Sequence, residues 1–201
     1  MAPMLRLHAP VIRKDVLMIS LLMGSLFCVL HVLNGWVLRS VEFSQHISLI
    51  YLPSFLRLAN VLVLGLVWGT AATAFGGLLL ASFWSNETLL LSLCNLGVSA
   101  TSALVAVLMM RWLQGRNIAL SRLLDLLQLA LLYALLNALM HHLLWSYLDP
   151  SQLIAPEQLV YMVLGDINGA VIGALVLRWI SRKTGLIQAL RERSRHSVSS
   201  D

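Results

Sequence analysis

"IYLPSFLRLANVLVLGLVWG", residues 50–69, decides how this chain is read. The stretch has the length of a membrane span, which needs about 20 mostly apolar residues. Yet Arg57 lies inside it. A charge at the bilayer centre costs about 2.5–3.5 kcal/mol on insertion scales unless something compensates for it. Arg57 therefore has to face a partner within a bundle, and the rest of the chain must supply one.

Outward from this stretch, the composition is that of a polytopic membrane protein. The chain has 201 residues, 59% hydrophobic and 11% charged. A soluble domain is about 45–50% apolar and about 25% charged. Six apolar segments are expected, at 16–38, 47–67, 70–84, 88–112, 123–147 and 158–180. The third, "TAATAFGGLLLASF", is short and rich in small residues. It follows the second with almost no loop, so the two are expected to form a tight helical hairpin. The fold class is an all-α membrane bundle of about six helices. Residues 1–15 form a cytoplasmic segment, 16–180 the transmembrane domain and 181–201 a basic tail. The first apolar run is too long for a cleavable signal peptide. Cys28 and Cys94 both sit in apolar runs, and no disulfide is implied.

Basic residues set the orientation. Arg6, Arg13 and Lys14 precede the first span, and Arg111, Arg116 and Arg122 surround the fourth connection. Arg178, Arg182, Lys183, Arg191, Arg193 and Arg195 close the chain. Glu42, Glu87, Asp149 and Glu157 mark the opposite loops. By the positive-inside rule both termini are cytoplasmic, and the protein is placed in a bacterial inner membrane. The net charge of +5 then belongs to the inner membrane surface and not to nucleic-acid binding. Asn86, in "NET", formally matches a glycosylation site on the outer side.

The polar residues inside the spans pair at helical spacing: His31 with Asn34, Arg57 with Asn60, Asn95 with Ser99, and Asn137 with His141 and its neighbour His142. Asp166 and Asn168 complete the set. Spacings of three and four put side chains on one helix face. At 1.5 Å per residue, Arg57 lies about 15 Å and Asp166 about 12 Å below the outer ends of their spans. The two are expected to pair in a polar chamber in the outer half, above an apolar plug. Ligand or partner binding is assigned to His31, Arg57, Asn60, Asn95, Asn137, His141, His142 and Asp166. The competing reading is interhelical glue, typically about 1 kcal/mol per hydrogen bond.

Three histidines in one leaflet raise metal chemistry. His31 with His141 or His142 would suit the axial positions of a haem. His31, His141 and Asp166 could hold a divalent metal. No H-E-x-x-H, G-x-S-x-G or phosphate-loop motif is present, so an enzyme is not expected. Asp125 reads as a helix N-terminal acid.

Four stretches carry a family resemblance: "YLPSFLRLANVLVLGLVWG", "FGGLLLASF", "SLCNLGVSATSALVAVLMMRWL" and "LGDINGAVIGALVL". Together they resemble the bacterial membrane-associated sensor domains of the MASE type. The matching positions are Tyr51 with Pro53 and Ser54, Gly76 and Gly77, Asn95 with Arg111, and Gly165, Asp166 and Gly169. The chain departs from that pattern at Phe55, where the family has glycine, and at Arg57. The resemblance implies a sensor acting through a signalling or membrane-protein partner, in contact with the lipid bilayer and with self-association allowed. Two alternatives remain: a substrate-binding subunit of a transporter or a small transporter, and a haem-binding subunit.

Overall fold

The computed structural model describes residues 14–44, 47–84, 87–119, 122–148 and 156–184. The first 13 residues, most of the expected basic tail, Asn86 and Asp149 lie outside the described residues. Five helices dominate: α1 (Lys14–Val37), α2 (Pro53–Phe83), α3 (Leu89–Gln114), α4 (Leu123–Leu148) and α5 (Pro156–Thr184). All five are long and apolar enough to cross a membrane. Their outward faces carry large apolar side chains, such as Leu22, Val63, Leu143 and Val160, a surface that suits lipid.

Five helices stand where six spans are expected, because the second and third segments fall within α2. That helix is interrupted at Gly65, with φ 84° and ψ 173°, a region open essentially to glycine alone. The chain reverses there. Asn60 Nδ2 donates to Thr73 Oγ1 at 3.2 Å, and Gly69 lies against the backbone of Asn60. Thirteen residues of continuous helix would separate those two side chains by about 20 Å. The halves 53–64 and 66–83 therefore lie side by side.

The first half of α2 starts later than expected. Residues 47–52 are not helical; Ile47–Ser48 form β2, paired antiparallel with β1 (Glu42–Ser44) after a short 3-10 turn at Arg39–Val41. Pro53 supplies the reason, since its ring would clash with the carbonyl four residues earlier in a continuing helix, while it suits a first turn. The non-helical segment runs along α5. At Gly165 and Gly169 a Cβ would overlap the carbonyl oxygens of Ser48 and Tyr51, so only glycine permits this approach. Tyr51 N–H donates to Gly165 O at 3.0 Å, Leu52 N–H to Asn34 Oδ1 at 2.8 Å, and Asn168 Nδ2 to Leu49 O at 2.9 Å. Gly165 and Gly169 thus receive a non-helical backbone, while Gly173, one turn further on, lies against the Phe55 side chain of α2.

The other ends are set locally. Thr88 caps α3, accepting from Leu91 N–H, and left-handed Gly115 closes it. Asp125 accepts two bonds from Arg116, at 2.6 and 2.8 Å, and one from Ala119 N–H, clasping the α3–α4 loop. The bonded carboxylate raises the Arg116 pKa above its ordinary value. The first half of α2 is the central element: Pro53, Ser54, Leu56, Arg57, Leu58, Asn60 and Val61 are all buried. Below Arg57, toward the α3–α4 loop, Leu58 and Val61 pack with Ala106, Val107, Met110, Leu129 and Ala130 in an apolar core. Above it the bundle is polar.

Candidate functional site

Arg57 is 4% exposed and sits on the buried central helix, one turn below Pro53. Rings of Phe27 and Tyr51 lie 5.4 and 5.1 Å from its guanidinium carbon, a cation–π arrangement that partly replaces lost hydration. Its Nη1 donates to Tyr133 Oη and to Asn137 Oδ1, each at 3.2 Å, and its Nη2 to Tyr51 Oη at 3.0 Å. A guanidinium carries five N–H donors. Its Nε–H is buried and has no partner among the described residues.

The expected Arg57–Asp166 pair is not direct. Asn137 stands between them, accepting from Arg57 and donating through Nδ2 to Asp166 Oδ2 at 2.7 Å. An amide suits this place because it presents an acceptor and a donor on one planar group. Asp166 is 2% exposed, and its backbone carbonyl accepts from Ser54 Oγ at 2.8 Å. On the other side, Tyr51 Oη lies 2.8 Å from His31 Nδ1. That hydroxyl, which already accepts from Arg57, links the guanidinium to His31. One chain of bonds thus joins α5, α4, α2 and α1 around Arg57.

Above this network lies a cleft of about 430 Å³, with Arg57 in its lining and Phe27, His31, Tyr51, Asn95 and Ser99 around it. Glu42, Glu87, Trp36 and Trp84 also line it. A smaller cavity of about 100 Å³ shares His31, Ser48, Tyr51, Arg57, Asn95 and Ser99 with it and adds His141, Trp145, Met162 and Asp166. The wall on α3 is itself braced: Asn95 Nδ2 donates to Glu87 Oε2 at 3.0 Å, and Trp145 Nε1 to Asn95 Oδ1 at 2.8 Å.

His31, Arg57, Asn95, His141 and Asp166 are brought together, and Asn137 supports them from beneath. Asn60 is not part of the group: it is fully buried in the α2 reversal, bonded to Thr73. His142 is turned away as well. Its Nδ1 donates to Ala138 O at 2.8 Å, and it lines neither cavity. His141 Nδ1 bonds Asn137 O at 3.0 Å, with Nε2 3.4 Å from Ser99 Oγ. Among the described residues no three His, Cys, Asp or Glu side chains come together as a metal site. His31, His141 and Asp166 therefore surround a space without forming a ligand set.

Sequence spacing missed Tyr133, which completes the Arg57 cradle. The signal was present, because Tyr133 lies four residues before Asn137 on the buried stripe 129, 133, 137, 141, 145 of α4. Tyr51 and Glu87 were visible only as a motif position and a loop charge. No protein-family profile, no curated protein and no solved structure matches the chain, and the cleft geometry is the ground on which its function is read.

Proposed function

We propose that this chain is a multi-pass bacterial inner-membrane protein of the sensor type. It binds a small ligand in the cleft, and the cleft opens to the outer side. The observation that carries this reading is the cleft of about 430 Å³ with the buried Arg57 in its lining, beside His31, Tyr51 and Asn95. A guanidinium in the lining of a polar cleft favours a ligand that presents an acceptor, anionic or zwitterionic. The reversal within α2 lets this element cross the membrane twice, which gives six crossings and leaves both termini on the cytoplasmic side. Arg111, Arg116 and Arg122 at the lower end agree with that orientation. The resemblance to MASE-type domains supports a role in signalling, through contact with a partner protein.

The test is purification in mild detergent followed by native mass spectrometry. Wild-type protein should retain a small molecule that Arg57→Leu loses, with the variant still folded by circular dichroism. Wild-type protein that never retains a ligand, under gentle extraction and with its host's metabolite extract added back, would refute the reading.

The interrupted α2 favours a second reading, a substrate-binding subunit of a transporter, because broken helices with irregular backbone at depth line the substrate sites of many carriers. Solute uptake on expression would decide for transport; ligand-dependent output from a co-purified kinase or cyclase would decide for sensing.

A further inference from the structure

We propose that the smaller cavity beside the cleft binds a primary ammonium group, with Asp166 as its acceptor. The site does not need the cleft to be occupied, and it stands on Asp166 and not on Arg57.

The two buried charges share their bonds unequally. Arg57 makes three side-chain hydrogen bonds and lies against two rings. The Asp166 carboxylate takes one such bond, from Asn137 to Oδ2. An ionised carboxylate accepts at about four lone-pair positions. Asp166 is 2% exposed, almost wholly removed from bulk water. Its Oδ1 has no donor among the described residues, yet it is not sealed in: Asp166 lines the cavity of about 100 Å³. A polar cavity of that size has room for several groups as large as a water molecule. A guest there meets the less satisfied of the two charges.

The rest of the wall is rich in acceptors. Ser48 Oγ spends its proton on Ile50 O at 2.9 Å, and Asn95 Oδ1 faces the Trp145 N–H at 2.8 Å. His141 Nδ1 bonds the Asn137 carbonyl, which only accepts, so Nε2 is the acceptor end of the neutral ring. Ser99 Oγ lies 3.4 Å from that nitrogen. Two donors border the cavity as well, and both are engaged: the Asn95 amide with Glu87 at 3.0 Å, and Arg57 in its cradle.

A hard metal cation prefers oxygen on all sides. Here the indole of Trp145, the thioether of Met162 and two imidazoles make up much of the wall. An ammonium gains from an indole face as well as from a carboxylate. Its N–H donors match the acceptors around it, which a quaternary ammonium could not do. Tyr51, Asn95 and Ser99 line both this cavity and the cleft. The amino group therefore enters from the cleft, as a free ion or as the end of a longer molecule.

The probes are the chlorides of ammonium, methylammonium, propylammonium, tetramethylammonium and sodium. Each is added at constant ionic strength and neutral pH to the full chain in detergent, and the unfolding midpoint is read. We expect the primary ammonium ions to raise it saturably, at concentrations at least tenfold lower than sodium or tetramethylammonium require. Asp166→Asn, which keeps an acceptor for Asn137 and removes the charge, should weaken the effect at least tenfold. Should that variant fail to fold, Ser99→Leu, which fills the cavity, provides the same comparison. Ammonium acting as strongly as propylammonium supports a free ion, and propylammonium acting more strongly supports the amino end of a longer ligand. Sodium acting as well as ammonium would overturn the ammonium assignment, and tetramethylammonium acting as well would overturn the need for N–H donors. No saturable effect from any of them would overturn the site and leave a cavity that holds only water. The ligand of the cleft is judged separately, by the mass-spectrometry experiment above.

Discussion

Asn137→Leu tests the network around Arg57 most directly. The amide holds both charges at once, through a 3.2 Å bond from Arg57 and a 2.7 Å bond to Asp166. Hydrogen bonds to charged groups are worth about 1.5–3 kcal/mol each, which sets an upper figure of about 6 kcal/mol for the two. In membranes the unfolded reference also finds partners, and measured interhelical bonds average only about 0.6 kcal/mol. The Arg57 side retains Tyr133 and Tyr51, whereas no other side-chain bond to the Asp166 carboxylate is found among the described residues. Most of the loss therefore falls on Asp166, and a cost of about 2–4 kcal/mol is expected. The charges themselves still attract across the space that the amide bridges. Single Arg57→Leu and Asp166→Leu changes should each reduce folded stability, and the double change should recover part of that loss. In the double-Leu background Asn137→Leu should cost less than about 1 kcal/mol, because its partners are gone. The assay is reversible SDS unfolding in bicelles followed by tryptophan fluorescence. A wild-type-background cost under about 0.5 kcal/mol, or an equal cost in both backgrounds, would refute the bridge.

Three further outcomes follow from the backbone and the topology. Gly169→Val should abolish accumulation of folded protein on expression, since its side chain would overlap the Tyr51 carbonyl, while Gly97→Ala, with open space around it, should be neutral or stabilise by about 0.5–1 kcal/mol. Gly65→Ala should cost about 1–3 kcal/mol in the same unfolding assay although nothing crowds the site, because the penalty lies in φ 84°; an unchanged midpoint would show that the reversal does not need that conformation. In intact cells an impermeant maleimide should label Ser40→Cys and Thr88→Cys but not Asn117→Cys; labelling of Asn117→Cys alone would invert the proposed orientation.

Hydropathy marked the spans well where one apolar run makes one helix. The expected 88–112 and 123–147 lie within two residues of α3 and α4. It could not separate helix from irregular backbone within residues 47–67, since lipid-compatible composition is the same for both. Pro53 and the glycines at 165 and 169 carried that information only in combination, as a break in one element and a receiving groove in another 112 or more residues away. Depth and spacing gathered His31, Arg57, Asn137 and Asp166 correctly, because polar groups in an apolar solvent must find each other. Which of them would touch was not legible. Direct pairing of opposite charges is the simplest expectation, and an intervening amide differs from it by a few ångströms that spacing does not resolve. Asn60 shows the converse limit: its three-residue offset from Arg57 placed it on the same face, but the reversal at Gly65 supplied a nearer partner in Thr73.

The segment at residues 47–52 also imposes an order on biogenesis. Its backbone bond from Tyr51 N–H and its bond from Asn168 to Leu49 both wait for α5, and Asn168 lies 119 residues later than Leu49. At about 5–20 residues per second, translation leaves this stretch without α5 for roughly 6–24 s. Unpaired peptide groups are not tolerated against hydrocarbon, so the stretch stays in contact with water or the insertion machinery during that interval. Arg57 gains Tyr133 and Asn137, and Asp166 beyond them, only when α4 and α5 have been made, so the floor of the cleft is completed after its walls on α1, α2 and α3.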